Sequence, residues 1–249
     1  MKKVKFGIPG LDSALEGGVE EGSAMLISGG PGTGKTCMGL AFVYHGAINN
    51  EPGIYLCLEE KKKKIIRSAQ VLGMGRFESL VKSGRILLVD SQDFKGDHEG
   101  RIAETIIDMV RKNKSKRIVV DTLTTLSLYA TSPRWKVAAT HPAPKLVLFQ
   151  PTKANVKQFV ANFIGTINSI DEATMLFLSE DNDEYTPAQK YVCDSVIDME
   201  RPSLDSVQES EVLLRVIKTR RSSHSSAVHV VRIKSGRGVE VLPAAEALK

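Results

Sequence analysis

Short apolar segments recur along the first three quarters of the chain, and segments with helical periodicity lie between them. Five of these segments have the length and apolar character of strands buried on both faces: residues 24–28, 54–58, 85–90, 117–121 and 174–179. Such alternation of strands and helices predicts a largely parallel, twisted sheet with helices on both faces. The predicted fold class is therefore α/β.

Three of the intervening segments place apolar residues three or four positions apart, as the buried face of a helix does. The first face consists of Ile65, Ile66, Ala69 and Leu72, the second of Ile102, Ile106, Met109 and Val110, and the third of Val156, Phe159, Val160, Phe163 and Ile167. We expect all three helices to cover the sheet.

The pattern changes after Tyr191, where strand-like runs follow one another closely and are separated by turn residues such as Ser235 and Gly236. These runs are residues 192–199, 212–218, 228–233 and 239–242. They predict antiparallel strands along one edge of the sheet.

Length and composition limit the picture further. With 249 residues and a formal net charge of +5, the chain suits one domain, 1–249, with a continuous core. It has no apolar run of the roughly 18 residues that span a membrane, and Lys2 and Lys3 are not followed by a signal-peptide region. We expect a cytoplasmic protein with no membrane partner.

Cysteine usage gives no sign of a disulfide framework or a zinc site. Cys37, Cys57 and Cys193 are odd in number and scattered along the chain, without the paired spacing of metal ligands. The expectation is three buried thiols.

A glycine-rich segment carries the strongest functional signal. Residues 29–36 read Gly-Gly-Pro-Gly-Thr-Gly-Lys-Thr, the phosphate-binding loop in which glycines, a lysine and a hydroxyl stand at fixed spacing. A strand precedes it and a helix follows, which argues against a glycine-rich turn without function. The glycines let backbone N–H groups wrap a polyanion at the start of a helix. The predicted nucleoside-triphosphate site comprises Gly30, Pro31, Gly32, Thr33, Gly34, Lys35, Thr36 and Cys37.

The side chains around this loop predict catalytic and metal-binding roles. Lys35 can bridge β- and γ-phosphate oxygens, and the Thr36 hydroxyl is the expected ligand of Mg²⁺. Asp121 ends an apolar strand, the usual place for a carboxylate that holds Mg²⁺ through water. The alternative for Asp121 is a solvated aspartate at a strand end.

Glu59 and Glu60 are the candidates for the group that activates water. Thr122 stands directly after Asp121, where many ring ATPases carry a glutamate, so the base must come from elsewhere. Both glutamates end the strand at 54–58, and a carboxylate beside the nucleotide could polarise an attacking water. Alternatively, both stabilise the N-terminus of the following helix.

With these motifs in place, the chain resembles a KaiC-type domain of the RecA/RadA superfamily. The shared segments are residues 7–12, 17–18, the phosphate loop, 53–60, the strand that ends at Asp121, and 178–180. The resemblance implies a RecA-like P-loop NTPase core and an ATPase that assembles as a homo-oligomeric ring, often a hexamer, with ATP and magnesium between subunits. It assigns hydrolysis to the glutamate pair and γ-phosphate sensing to the strand end at Ser179.

The resemblance also implies residues that act across the subunit interface. The family completes its site through a Lys-x-Arg-x-x-x-His segment, and Lys218, Arg220 and His224 match that spacing. A charged edge strand is the alternative. Arg221 stands where relatives commonly have glycine, and KaiC itself joins two such domains, so a clock function does not follow.

The insertion at about 129–155 raises the possibility of a nucleic-acid partner. Residues 122–170 contain no Asp or Glu, and the insertion contains Trp135 together with Arg134, Lys136, Lys145 and Lys153. Basic and aromatic side chains hold single strands, whereas the acidic run 180–184 would repel them. A recombinase paralogue, a solvated or interface-forming insertion, an ATP-dependent switch with a protein partner, and an autokinase all stay open.

Overall fold

The computed structural model describes residues 2–94, 102–126, 153–168, 173–181, 186–202 and 211–247. Within two of its helices, only the backbone is described at 102–104, 153, 155, 156, 167 and 168. No helix among the described residues is long and apolar enough to cross a membrane.

Strands and helices alternate through the first two thirds of the described chain. The strands are β1 (Lys3–Val4), β2 (Val19–Glu20), β3 (Ala24–Gly29), β4 (Gly53–Cys57), β5 (Ile86–Asp90), β6 (Arg117–Asp121), β7 (Thr174–Glu180), β8 (Ser195–Glu200), β9 (Val212–Thr219), β10 (His229–Lys234) and β11 (Gly238–Pro243). The helices are α1 (Pro9–Ala14), α2 (Lys35–Ile48), α3 (Lys62–Val71), α4 (Phe77–Lys82), α5 (Ile102–Asn113), α6 (Lys153–Asn168), α7 (Thr186–Val192) and α8 (Ala244–Ala247).

Nine of the strands form one mixed sheet in the order β11-β10-β9-β8-β3-β7-β6-β4-β5. The neighbours from β8 to β5 pair in parallel, and β9, β10 and β11 continue the sheet with antiparallel pairs. Both the parallel core and the antiparallel C-terminal edge were predicted, and both are confirmed.

Parallel pairing brings the carboxyl ends of four strands to one edge of the sheet. Gly29 pairs with Glu180, and Cys57 pairs with Asp121. We call this the carboxyl edge, defined by those four residues. Ligands of open α/β sheets bind outside this end of the strands.

Side-chain alternation along the strands divides the core between the two faces. Met25 and Ile27 of β3 pack in the cluster that includes α2, whereas Ala24 and Leu26 pack with α5 and α6. This is the two-residue period of a strand. The core members of the predicted helix faces are buried, namely Ile65, Ala69, Leu72, Ile106, Val110, Val160 and Phe163.

One predicted strand begins later than its sequence indicated. Val192 ends α7, and the strand starts at Ser195. The turn between them is fixed by Asp194, whose Oδ2 accepts a hydrogen bond from the backbone N–H of Ala24 at 3.1 Å. A seven-residue helix is too short to show a periodicity that separates it from the apolar run that follows.

Arg117 anchors the opposite end of β6 and is 2% exposed. Its guanidinium donates to Glu51 at 2.6 and 2.8 Å and to the carbonyls of Lys5 and Phe42 at 2.7 and 2.9 Å. It also lies 4.6 Å from the centre of the Phe42 ring. Burial lowers the pKa of Arg117, and the hydrogen bonds to Glu51 oppose this shift. One side chain thus ties the N-terminal segment and α2 to the sheet.

We predict that Arg117→Ala lowers the free energy of unfolding by about 3 kcal/mol, because it removes the buried cation that pairs with Glu51 and bonds the carbonyls of Lys5 and Phe42. Urea unfolding followed by circular dichroism measures the loss. Arg85→Ala is the matched control, since Arg85 is exposed and its guanidinium donates to Asn50 at 2.6 Å, and surface contacts contribute at most about 1 kcal/mol. Equal losses in the two variants would contradict the anchoring role.

Candidate functional site

The glycines of the phosphate loop fit its geometry in three different ways. Gly32 and Gly34 have φ angles of +74° and +95°, the left-handed region in which glycine is favoured. A Cβ on Gly34 would lie 2.4 Å from Ile233 Cδ1. Gly29 faces the carbonyl oxygen of Met199, which would lie 2.4 Å from a Cβ. Close approach and backbone conformation therefore fix these glycines.

The loop ends at Lys35, the first residue of α2. Its buried ammonium donates to the carbonyls of Gly29 and Gly30 at 2.7 and 2.9 Å and lies 3.0 Å from Glu180 Oε1. The Thr33 hydroxyl bonds the same Gly30 carbonyl at 2.8 Å. A cation and a helix N-terminus meet here, an arrangement that favours anions.

The other predicted loop residues border the opening. Pro31 is exposed, and Thr36 and Cys37 are partly exposed. Burial of the other two cysteines, Cys57 and Cys193, is confirmed, whereas the expectation was wrong for Cys37. The reason is that Cys37 lies on the side of α2 that borders a cleft.

Asp121 lies at the carboxyl edge against α2. Its Oδ2 accepts hydrogen bonds from the Thr36 hydroxyl at 2.9 Å and from the Tyr55 hydroxyl at 2.7 Å. Burial raises the pKa of Asp121, and the two hydrogen bonds oppose the shift. Asp121 is 8% exposed, so it is not the solvated aspartate of the alternative reading. The hard oxygens of Thr36 and Asp121 suit Mg²⁺.

Tyr55 is a site residue that the sequence analysis missed. Burial, followed by the charge of Asp121, raises the pKa of Tyr55 well above its usual value, so the phenol keeps its proton and donates. The available signal was its hydroxyl, the one oxygen-bearing side chain in the otherwise apolar run from Ile54 to Leu58.

The two candidate glutamates occupy different surroundings. Glu59 Oε1 accepts hydrogen bonds from the hydroxyls of Thr122 and Thr125 at 2.7 and 2.6 Å. These threonines belong to the turn directly after Asp121, so Glu59 is held against the end of β6. Glu60 is exposed and lies 4.0 Å from Lys64 one helical turn along. The geometry therefore separates the pair: Glu59 is tied to the turn after Asp121, whereas Glu60 borders a cleft that also contains Cys37.

Ser179, the predicted phosphate sensor, is fully buried. Its hydroxyl donates to Gln189 Oε1 at 2.5 Å and lies 3.1 Å from Thr124 Oγ1. The next residue, Glu180, contacts Lys35. Sequence reasoning missed Gln189, and no sequence signal distinguishes it from other polar residues of a short helix.

The segment matched to the interface motif lies at the opposite end of the sheet from the phosphate loop. Ser195 pairs with Met25 on one side and with Thr219 on the other. Gly29 is four residues farther along β3, about 13 Å at the strand rise of about 3.3 Å per residue. Lys218 and Arg220 therefore cannot serve the loop of their own chain without a large rearrangement.

Each of the three matched side chains is held locally. Lys218 Nζ donates to the carbonyl of Lys190 at 2.7 Å, and an Arg220 Nη donates to that of Tyr191 at 3.0 Å. His224 Nδ1 lies 3.0 Å from the carbonyl of Ser225. Burial, then repulsion by Arg220, lowers the pKa of Lys218.

Arg221 keeps the conformation that a glycine would adopt. Its φ is +60°, and the left-handed region costs a residue with a side chain about 1–2 kcal/mol. Its guanidinium bonds Glu20 at 2.8 Å and approaches Asp194 at 3.7 Å. The turn after Arg220 therefore forms without the glycine that relatives commonly have there.

A cleft of about 380 Å³ opens beside the phosphate loop. Apolar side chains of Val71, Leu72 and Ile233 line it together with Cys37 and the cation Arg67. Burial raises the pKa of Cys37, so this thiol is neutral at pH 7. An apolar wall with a few polar groups suits the flat ring of a base.

The basic insertion predicted to contact nucleic acid lies outside the described residues, including Trp135, Arg134, Lys136 and Lys145. The side chain of Lys153 and most of the acidic run, 182–184, also lie outside them. The nucleic-acid hypothesis stays a prediction of the sequence.

Comparison with known proteins gives a consistent result. A family model described as "ATPase: KaiC" matches residues 4–137 and 146–246. A UPF0273 protein of Thermotoga maritima is 30% identical over 263 aligned residues, which cover 98% of this chain and 97% of that protein.

Two further matches are a clock protein that is similar in sequence and a solved structure that is similar in fold. The circadian clock oscillator protein KaiC of Prochlorococcus marinus is 27% identical over 237 residues, 90% of this chain but 42% of the relative. The crystal structure of a KaiC-like protein from the archaeon Pyrococcus horikoshii superposes with a TM-score of 0.75 at 25% identity, covering 97% of this chain and 99% of that one. The chain thus spans under half of that clock protein.

We predict that Tyr55→Phe lowers the free energy of unfolding by about 2 kcal/mol in chelator-containing buffer, because the buried Asp121 carboxylate loses a donor. Tyr44→Phe removes the same hydroxyl from a residue whose ring packs on Phe77 and should change stability by less than about 0.5 kcal/mol. Urea titrations compare the two. Indistinguishable stabilities would show that the Tyr55 hydroxyl does not support Asp121.

Proposed function

The chain belongs to the KaiC family of ATPases. We propose that it binds Mg²⁺-ATP and hydrolyses it at the subunit interfaces of a homo-oligomeric ring, and that this ring is a hexamer. One observation carries the proposal: Lys35, the Thr36–Asp121 pair and Glu59 converge on the carboxyl edge around the phosphate loop. We also propose that residues 1–249 form one domain of this type, with a cytoplasmic location.

Lys35 and the backbone N–H groups of the loop bind the phosphates of ATP. The ammonium is already desolvated and turned into the loop by the Gly29 and Gly30 carbonyls and by Glu180. A phosphate that replaces Glu180 forms a charge-assisted hydrogen bond, about twice as strong as a neutral one. The N-terminus of α2 adds its partial positive charge.

Thr36 and Asp121 are the residues that would hold Mg²⁺. Their oxygens are 2.9 Å apart, and both are hard ligands of the type this cation prefers. When bound, the ion neutralises charge on the β- and γ-phosphates. The burial of Asp121 supports this assignment, because a desolvated carboxylate gains more from a cation than a solvated one does.

Glu59 orients and polarises the attacking water. The two threonine hydroxyls occupy one carboxylate oxygen and leave the other available to a water on the phosphate side. A carboxylate positioned in this way can accept the proton as the oxygen attacks. Glu60 has a supporting role at most, because its side chain lies with α3.

The base of ATP occupies the cleft between Cys37 and Ile233. The cleft adjoins the residue after Thr36 and has the apolar walls that a purine ring requires. Arg67 at its border can stack on the base, as guanidinium groups do on π systems.

Lys218, Arg220 and His224 complete the site of the neighbouring subunit. Their position at the far end of the sheet supports this role, since within one chain they lie away from the phosphate loop. Cations supplied in trans to a transferring phosphoryl group can accelerate hydrolysis by roughly 10³–10⁵-fold. Turnover then depends on assembly.

We predict that Glu59→Gln lowers kcat by about 10²–10⁴-fold, because it removes the base, and leaves ATP affinity within about threefold of the parent. Lys35→Ala should instead weaken ATP binding by about 10–100-fold, since it removes a charged partner of the phosphates. Phosphate release gives kcat, and a fluorescent ATP analogue gives affinity. Unchanged hydrolysis in Glu59→Gln would refute the base assignment.

The same measurements on the parent protein distinguish hydrolysis from the two alternatives, an ATP-dependent switch and an autokinase. A parent rate near zero, with ATP-dependent assembly retained, would indicate a switch. Phosphate covalently attached to Ser or Thr would indicate an autokinase.

A mixing experiment tests the role of Arg220 in trans. We predict that Arg220→Ala and Glu59→Gln are each nearly inactive alone and that their equal mixture hydrolyses ATP. Random mixing places an Arg220-supplying neighbour beside an intact site at about one interface in four, so we expect about a quarter of the parent rate. Circular dichroism verifies that Arg220→Ala is folded. A mixture no more active than its components would exclude action in trans.

A further inference from the structure

The short helix α7 lies between the phosphate loop and the residues that face the neighbouring subunit. Its N-terminal half bonds the end of β7: Thr186 Oγ1 donates to the carbonyl of Glu180 at 2.8 Å, and Gln189 accepts from Ser179 at 2.5 Å. Lys190 reaches Asp181 at 3.2 Å. Three contacts therefore join this helix to the strand end that also touches Lys35.

The C-terminal end of α7 holds the two cations matched to the interface motif. Lys218 donates to the carbonyl of Lys190, and Arg220 donates to the carbonyl of Tyr191. The last four carbonyls of a helix have no partner within it and attract cations. A change in the position of α7 therefore changes the position of Lys218 and Arg220.

The link from nucleotide to α7 begins at residues already placed in the site. Glu180 pairs with Lys35, and Ser179 is its neighbour in β7. The hydroxyl of Ser179 also meets Thr124, within the same turn as the two threonines that hold Glu59. Lys35 is thus linked to Gln189 through two side-chain contacts, and Glu59 through three, with one step along the backbone in each case.

Gln189 is fully buried, yet only one of the two polar atoms of its side-chain amide has a hydrogen-bond partner among the described residues. One end of its amide bonds Ser179, while Nε2 has no hydrogen-bond partner within the described part of the chain. A buried polar atom without a partner costs about 1–3 kcal/mol. An apolar side chain of the same length would avoid this cost, so packing alone does not explain a glutamine here.

We propose that Gln189 is a positioning residue that couples the nucleotide bound in one subunit to the Lys218 and Arg220 that the same subunit presents to its neighbour. The inference rests on the proposed function. When phosphate takes Lys35 from Glu180, the end of β7 is released from that ion pair, and the Ser179–Gln189 bond carries the movement into α7. ATP in one site thereby prepares the cations for the next site.

The experiment uses mixed rings isolated through two affinity tags. The acceptor subunit carries Arg220→Ala and keeps an intact site, and the donor supplies Arg220. One donor, Glu59→Gln, binds ATP. A second donor, Gly32→Asp, does not, because the added carboxylate in the phosphate loop repels the triphosphate, while the Lys35–Glu180 pair stays intact. Gln189→Met is then added to each donor, since methionine keeps the length and the helix propensity of the side chain.

Coupling predicts that Gln189→Met lowers hydrolysis about tenfold in rings with the ATP-binding donor, within the usual range of allosteric coupling. In rings with the ATP-free donor, the rate is already low, and the substitution should change it by less than about twofold. Gln189→Met placed in the acceptor should lower the rate much less than it does in the ATP-binding donor, because the acceptor donates no Arg220.

Other outcomes overturn the proposal. An equal reduction with both donors would show that Gln189 merely supports the fold, and no reduction with either would show that α7 carries no signal. Thr186→Val cuts the other bond between α7 and β7 and should reproduce the donor-specific loss if Gln189→Met fails to fold. Failure of the proposed function itself is distinct, because rings without any α7 substitution would then hydrolyse no ATP.

Discussion

The buried carboxylate of Asp121 is the interaction on which the site depends. It joins three elements, because its own strand β6 is bonded through it to Thr36 of α2 and to Tyr55 of β4. Desolvation makes a charged carboxylate costly at this depth, and the two hydroxyl donors offset only part of that cost. A cation would relieve this cost, so in the function that we propose the burial of Asp121 contributes to the affinity for Mg²⁺.

Sheet topology decides which charges can meet in one chain. Parallel order from β8 to β5 gathers Lys35, Asp121 and Glu59 at the carboxyl edge, whereas β9 runs in the opposite direction and carries Lys218 and Arg220 toward the far end. A chain of this topology therefore has the phosphate loop at one end of the sheet and the cations Lys218 and Arg220 at the other. In the ring that we propose, head-to-tail contacts between copies bring the two ends together.

The sequence predicted the parts of the molecule whose signal is local and periodic. The ends of the five buried strands were predicted to within about one residue, because an apolar run of this length bounded by turn residues is typical of a buried strand. The loop at 29–36 was placed between a strand and a helix from the fixed spacing of its glycines and Lys35, and the structure has it between β3 and α2. Tyr55 and Gln189 were missed, because their importance comes from partners 66 and 10 residues away in the sequence, and no local pattern encodes such contacts.

Glu180 explains how the site stays folded without its substrate. A lysine ammonium buried at 6% exposure is destabilising unless an anion accompanies it, and Glu180 lies 3.0 Å from it where a phosphate oxygen would otherwise pair. This glutamate is partly exposed and lies at the end of a strand, so it can give way to a phosphate oxygen that takes its place beside Lys35. ATP must displace it, which lowers affinity relative to an unpaired lysine. In the coupling that we propose, this displacement transmits the binding of phosphate to the end of β7.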